Sequence, residues 1–145
     1  MRAIGVDLGT KRIGVALSSG TLATPYEVVQ RSGDKARDHR KLGELAAEAE
    51  AEIVVVGLPL SLDGSVGPAA QRALDEIEQL SQSLELPVEA WDERLSTVTA
   101  ERSLMEQNMR AQARRRVVDK VAAAVILQSW LDARSATDPA LEETQ

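Results

Sequence analysis

Cysteine is absent from the 145 residues, and with it go disulfides, thiolate metal sites and cysteine nucleophiles together. Phenylalanine is absent too, and two tryptophans and one tyrosine are all the aromatics there are, so a core must be filled by aliphatic side chains and alanine. That filling suits helices packed on a sheet. Histidine occurs once, as His39, among charged neighbours in a helical pattern, and is read as a solvated surface residue. No segment approaches the roughly 18 consecutive apolar residues of a membrane span. Asp7 interrupts the first apolar run before it could serve as a secretory leader. A cytoplasmic protein of one domain is the expectation, with the domain over residues 1–134 and a disordered tail over 135–145.

Net charge is −6, which on its own disfavours contact with phosphates. Its distribution is uneven. Residues 1–41 hold eight Lys/Arg against four Asp/Glu, residues 42–93 one against twelve, residues 94–120 seven against three, and residues 121–145 one against four. Two basic stretches flank an acidic middle, and folding decides whether they share a face.

Arg2–Leu8 reads as a buried strand and Ile13–Ser18 as a second, joined by a tight turn through Gly9-Thr10-Lys11-Arg12. Glu27–Gln30 follows as a third, short strand after a turn at Pro25. Asp34–Glu50 has helical spacing, with Leu42, Leu45, Ala46 and Ala49 on one stripe. Ile53–Gly57 has no polar alternation and reads as a central strand covered on both faces. The Pro- and Gly-bearing stretch Leu58–Ser65 is a loop, and Pro68 fits the first turn of a helix reaching about Leu84. Pro87–Trp91 is a short strand that delivers Asp92, Glu93 and Arg94 at its end. Ser96 or Thr97 caps a helix to about Met109, Arg110–Arg116 is a basic connector, and Val117–Ala133 is the last helix. The order β-β-β-α-β-α-β-α-α predicts a mixed sheet with helices on both faces, its site at the strand ends.

Three acidic positions stand out. Asp7 closes an apolar strand between Gly5 and Gly9, where it either bonds the backbone of the following turn or holds a cation. In Asp92-Glu93-Arg94 strand alternation turns only one carboxylate toward a site, and an exposed ion pair is the plain alternative. Asp119 lies early in the last helix, where the helix dipole alone favours an acid. Ala122, Ala123 and Ile126 share its face, which suggests close packing that would carry it inward. Together the three could ligate hard cations such as Mg²⁺ or Mn²⁺, and two such ions suit phosphodiester hydrolysis.

The run Gly5-Val6-Asp7-Leu8-Gly9-Thr10-Lys11-Arg12-Ile13-Gly14-Val15-Ala16 resembles the opening motif of the YqgF, or RuvX, family of RuvC-like nucleases. Gly57-Leu58-Pro59 with Gly64, Asp92-Glu93-Arg94-Leu95-Ser96-Thr97, and Asp119 with Ala122-Ala123 and Ile126-Leu127 resemble its later blocks, in order, over nearly the whole chain. The resemblance implies an RNase H-like α/β fold with a five-stranded mixed sheet of order 3-2-1-4-5. It implies Asp7, Glu93 and Asp119 as the catalytic, divalent-metal-binding set, with Mg²⁺ or Mn²⁺, two ions, as cofactor. It makes Lys11, Arg12 and Arg94 candidates for phosphate contact; Arg110, Arg114, Arg115 and Arg116 are added on charge, against the alternative of a solvated basic loop. Two substrates are implied: precursor ribosomal RNA at the 5′ end of the small-subunit RNA, which is favoured, or four-way DNA junctions, which require a homodimer. A non-catalytic nucleic-acid or ribosome adaptor is the alternative of another class, supported by the net charge but not by three mutually repelling carboxylates. Asp7-Leu8-Gly9-Thr10 also resembles the first phosphate loop of actin-like and sugar-kinase ATPases, but the chain is short for two such lobes and carries no second copy of the loop.

Overall fold

A computed structural model describes residues 1–98 and 111–137, with the side chains of all but 111–118, 136 and 137. Five strands and three long helices follow in the order β1 (Ala3–Leu8), β2 (Arg12–Ser19), β3 (Leu22–Gln30), α1 (Lys35–Glu48), β4 (Ile53–Leu58), α2 (Pro68–Ser83), β5 (Val88–Asp92), a 3₁₀ turn (Glu93–Leu95) and α3 (Ala111–Thr137). The strands form one sheet in the order β3-β2-β1-β4-β5. β1, β2 and β3 are antiparallel, while β4 and β5 add in parallel beside β1. This is the expected order, with the apolar β4 at the interior.

Strand alternation divides the core into two layers. Ile4, Val6, Ile13, Val15, Val54 and Val56 face one way and pack against Leu42, Leu45 and Ala46 of α1 and Ile77 and Leu80 of α2. Ala3, Ala16 and Val55 face the other way, against Ala122, Ala123, Ile126, Leu127, Trp130 and Leu131 of α3. Each fully buried Ile or Leu contributes about 1.5–3 kcal/mol, so both layers matter to stability. Hydrogen bonds fix α3 in place at two edges. Gln128 accepts from the Ala23 amide at 2.8 Å and donates to the Thr21 carbonyl at 2.9 Å, while Ser129 accepts from Trp91 Nε1 at 3.0 Å and donates to the Leu95 carbonyl at 2.8 Å.

Three boundaries differ from the sequence reading. β3 begins at Leu22, not Glu27, and Pro25 lies inside it. The strand is an edge, where the missing N–H of proline is tolerated, and its register against β2 shifts between Val15 and Ala16 so that Tyr26 is the extra residue. α3 begins at Ala111, so Arg114, Arg115 and Arg116 belong to a helix and not to a connector. No Gly or Pro interrupts residues 110–137, and Ala, Gln and Arg are good helix formers. The same helix runs on to Thr137, past the expected end at Ala133 and into the tail expected from residue 135, the rest of which lies outside the described residues. The helix expected from Ser96 or Thr97 to Met109 lies almost wholly outside the described residues.

Candidate active site

Asp7 occupies the α3-facing side of β1, two residues beyond Gly5, because Ile4 and Val6 take the opposite side. Its antiparallel partner on β2 is Gly14. On the other flank the parallel register pairs Val6 with Val56, so the next residue of β4, Gly57, lies beside it. Asp7 is therefore a carboxylate between two glycines, and in each case the space a side chain would fill is taken. A Cβ on Gly14 would come 2.0 Å from the carbonyl oxygen of Asp119. A Cβ on Gly57 would come 2.6 Å from Ile126 Cδ1 and 3.2 Å from Glu93 Cγ. Gly5 continues the trough, its Cβ position 2.7 Å from Leu127 Cβ. α3 thus rests directly on strand backbone, and Asp119 and Glu93 are drawn in from the two sides of Asp7.

Glu93 reaches this place because β5 ends one residue earlier. Asp92 caps the 3₁₀ turn by accepting from the Arg94 amide at 2.9 Å, and the Glu93 carbonyl accepts from the Ser96 amide and hydroxyl at 3.1 and 2.8 Å. Of the two adjacent acids only Glu93 lines the groove with Asp7, and it does so from the 3₁₀ turn and not from the strand. Asp92 is occupied by Arg94 at 2.7 Å, and those hydrogen bonds hold its carboxyl below the usual range.

Asp119 stands on the stripe of Ala122, Ala123 and Ile126, all buried. Arg12 Nε donates to its Oδ2 at 2.7 Å, with both side chains mostly shielded from water. Asp7, Glu93, Asp119, Lys11 and Arg12 all line one open groove of about 1380 Å³ at the carboxyl ends of β1 and β4.

The donor set fits a hard cation: three carboxylates from three elements meet one groove, with no thiolate or imidazole among the groove-lining residues. Among the described residues no three acidic side chains already stand close enough together to share one ion. One reason is visible, since Arg12 holds an oxygen of Asp119. Mg²⁺ commonly takes only one or two protein carboxylates and completes its shell with water and phosphate.

The other candidate residues divide. Arg94 pairs with Asp92, donates to the Leu62 carbonyl at 3.3 Å and lies over Gly64, and it does not line the groove. Arg114, Arg115 and Arg116 stand in the first turns of α3, and Arg110 lies outside the described residues.

His39 is not a surface residue: it is 2 % exposed. Its Nε2 lies 2.8 Å from Glu76 Oε2 on α2, and Arg31 grips the same carboxylate with two bonds of 2.8 Å. Arg31 Nε then donates to the Gly9 carbonyl at 2.8 Å, so this buried network braces the turn that follows Asp7. Burial pushes the Glu76 carboxyl up, but the bonds from Arg31 and His39 outweigh it and hold the group below its ordinary value. His39 lies three and seven residues before Leu42 and Ala46, on their apolar stripe, and that spacing was the available signal. Glu76 likewise lies three residues after Ala73 and four before Leu80, on the apolar stripe of α2, while Arg31 carries no comparable local sign.

Comparison with known proteins agrees with this architecture. A family model described as "RuvX: Holliday junction resolvase" matches residues 1–133. A protein of Mycobacterium sp. (strain KMS) is 50% identical over 138 residues, 93% of this chain and 82% of that one, and bears the name "Putative pre-16S rRNA nuclease". One of the same name from Myxococcus xanthus (strain DK1622) is 49% identical over 140 residues, 95% of this chain and 92% of that one. Among solved structures, that of T. thermophilus RuvC in complex with Holliday junction substrate superposes with a TM-score of 0.58 at 18% identity, covering 94% of this chain and 97% of that one. The fold is thus the RNase H-like fold of RuvC. With 133 residues matched end to end and half of all positions shared with relatives of similar length, the chain belongs to the RuvX family.

Proposed function

We propose that this protein is a divalent-metal-dependent nuclease that hydrolyses phosphodiester bonds in the precursor of 16S ribosomal RNA. The observation that carries the reading is the flanking of Asp7 by Glu93 and Asp119 in one groove with Lys11 and Arg12. Asp7, Glu93 and Asp119 would hold Mg²⁺ or Mn²⁺, two ions in the full site. Bound there, the ions would lower the pKa of a water and offset charge on the leaving oxygen. The protein's own share is positional. β1, the 3₁₀ turn and α3 hold the carboxylates on rigid elements, and the Arg31–Glu76 network fixes the turn carrying Lys11. Arg12 neutralises Asp119 until a cation replaces it, and is then free to meet a phosphate oxygen. Arg94, Arg110 and Arg114–Arg116 are further candidates for backbone contact.

The relatives' shared name supports RNA as substrate. The family model's description supports a second reading, the cutting of four-way DNA junctions by a homodimer that brings two sites to one junction. Among the described residues no helix is long and apolar enough to cross a membrane.

Cleavage of precursor 16S RNA and of a four-way DNA junction, each with Mn²⁺ or Mg²⁺ and with Asp7→Asn as control, tests the proposal. Metal-dependent cutting of the RNA, lost in the variant, is expected. Cutting of the junction alone would transfer the activity to the second reading. Metal-independent binding without cutting would replace the enzyme by an adaptor.

A further inference from the structure

The groove does not end at the carboxylates. Beyond Leu8 and Gly9 it continues between the Thr10–Lys11 turn, the start of α1 and the first half of α2, where Lys35 and Arg72 line it. The other charged groups on this arm all have hydrogen-bond partners, although those of Asp38 and Asp75 are neutral groups. Arg31 and Glu76 neutralise each other. Asp38 accepts from the Ser32 amide and hydroxyl, and Asp75 accepts from Gln71. Lys11, Lys35 and Arg72 have no ion-pair partner among the described residues. Lys35 is brought to the rim by Gly33, whose φ of +88° turns the chain between β3 and α1. Arg72 is the sole Lys or Arg between residues 42 and 93, against twelve acids. The single cation of the acidic middle is thus on the wall of the groove.

We infer that Lys35 and Arg72, with Lys11 between them and the carboxylates, form a phosphate track that holds the RNA backbone to one side of the cut. This rests on the proposed reading of the site and names how its substrate is held. No aromatic side chain lines the groove, so bases are not stacked there, and the contact is electrostatic and indifferent to sequence.

The test is the salt dependence of binding to a labelled single-stranded RNA, measured by fluorescence anisotropy on the full chain in an Asp7→Asn background, which removes the metal-ligating carboxylate. Each phosphate contact on a single strand contributes about 0.7 to the slope of log K against log salt. Adding Lys35→Ala and Arg72→Ala is expected to lower that slope by about 1.4, and Lys35→Arg with Arg72→Lys to leave it unchanged. Lys35→Glu with Arg72→Glu should lower it further, and both positions are exposed, so thermal midpoints should hold. An unchanged slope in the alanine and glutamate variants, or no RNA binding at low salt, would overturn the track. The two readings separate cleanly. A wild-type chain that cuts RNA while the slope is indifferent to Lys35 and Arg72 keeps the nuclease and loses the track. A slope that falls as expected in a chain that never cuts keeps the track and loses the nuclease.

Discussion

Gly14 stands opposite Asp7 on the β1–β2 ladder, and the volume that its side chain would have filled is held by the backbone of Asp119. The pairing makes a glycine on one strand responsible for the distance between a carboxylate on another and a carboxylate on a helix. Gly14→Ala places a methyl 2.0 Å from the Asp119 carbonyl oxygen, so α3 must move. Overpacking of this kind costs about 1–3 kcal/mol, and more where backbone cannot yield. Gly57→Ala meets first the end of Ile126, a flexible side chain, and should be milder. Urea midpoints and cleavage rates measured together are expected to rank Gly14→Ala as the more damaging in both.

Asp7→Asn, Glu93→Gln and Asp119→Asn should each cut the metal-dependent rate by about a thousandfold, the equivalent of roughly 4 kcal/mol. Folding should survive in Asp7→Asn and Glu93→Gln, whereas Asp119→Asn also weakens the shielded bond to Arg12 and should lower the thermal midpoint. A purified variant that keeps its thermal midpoint and its rate would strike that carboxylate from the set.

Arg12→Ala deprives Asp119 of a shielded, charge-assisted bond, with an expected loss of about 1.5–3 kcal/mol in metal-free buffer. It also removes the competitor for that oxygen. The rise in melting temperature on titrating Mn²⁺ should therefore be larger in the variant than in the wild type. Equal rises would mean that Arg12 does not contend with the cation.

Glu76 has a folded pKa below its ordinary value of 4.5. The stability it supplies is fully present above that value and is lost as pH falls through the lower, folded one. Acid unfolding of the wild type should thus steepen below about pH 4.5. Glu76→Gln should flatten this acid limb while lowering stability at neutral pH, where Arg31 and His39 lose their shared carboxylate.

Much of the sheet was legible because its information is local. Ile53-Val54-Val55-Val56 has no polar residue to turn outward, and such a strand belongs in the middle. Asp119 announced itself through Ala122, Ala123 and Ile126, three, four and seven positions on, and that face packs against the sheet. What escaped depended on context. Pro25 reads as a turn until one knows that its strand is an edge. The triple arginine reads as a connector by charge, although helix propensity pointed the other way. His39 looked exposed among Asp38, Arg40 and Lys41, because its burial rests on Arg31 and Glu76, the latter 37 residues away. The track formed by Lys35 and Arg72 likewise needs the fold to bring two distant helices to one wall.

α3 both seals one face of the sheet and delivers Asp119. The two layers of the core are consequently unequal as places for change. Enlarging or trimming a residue beneath α3 alters the seating of the helix, and with it the reach of the Asp119 carboxylate. Leu42, Leu45, Ile77 and Leu80 fill the other layer, where repacking leaves the helix seat alone. A redesign for robustness should begin there, with His39 and Glu76, which brace the turn after Asp7, left in place.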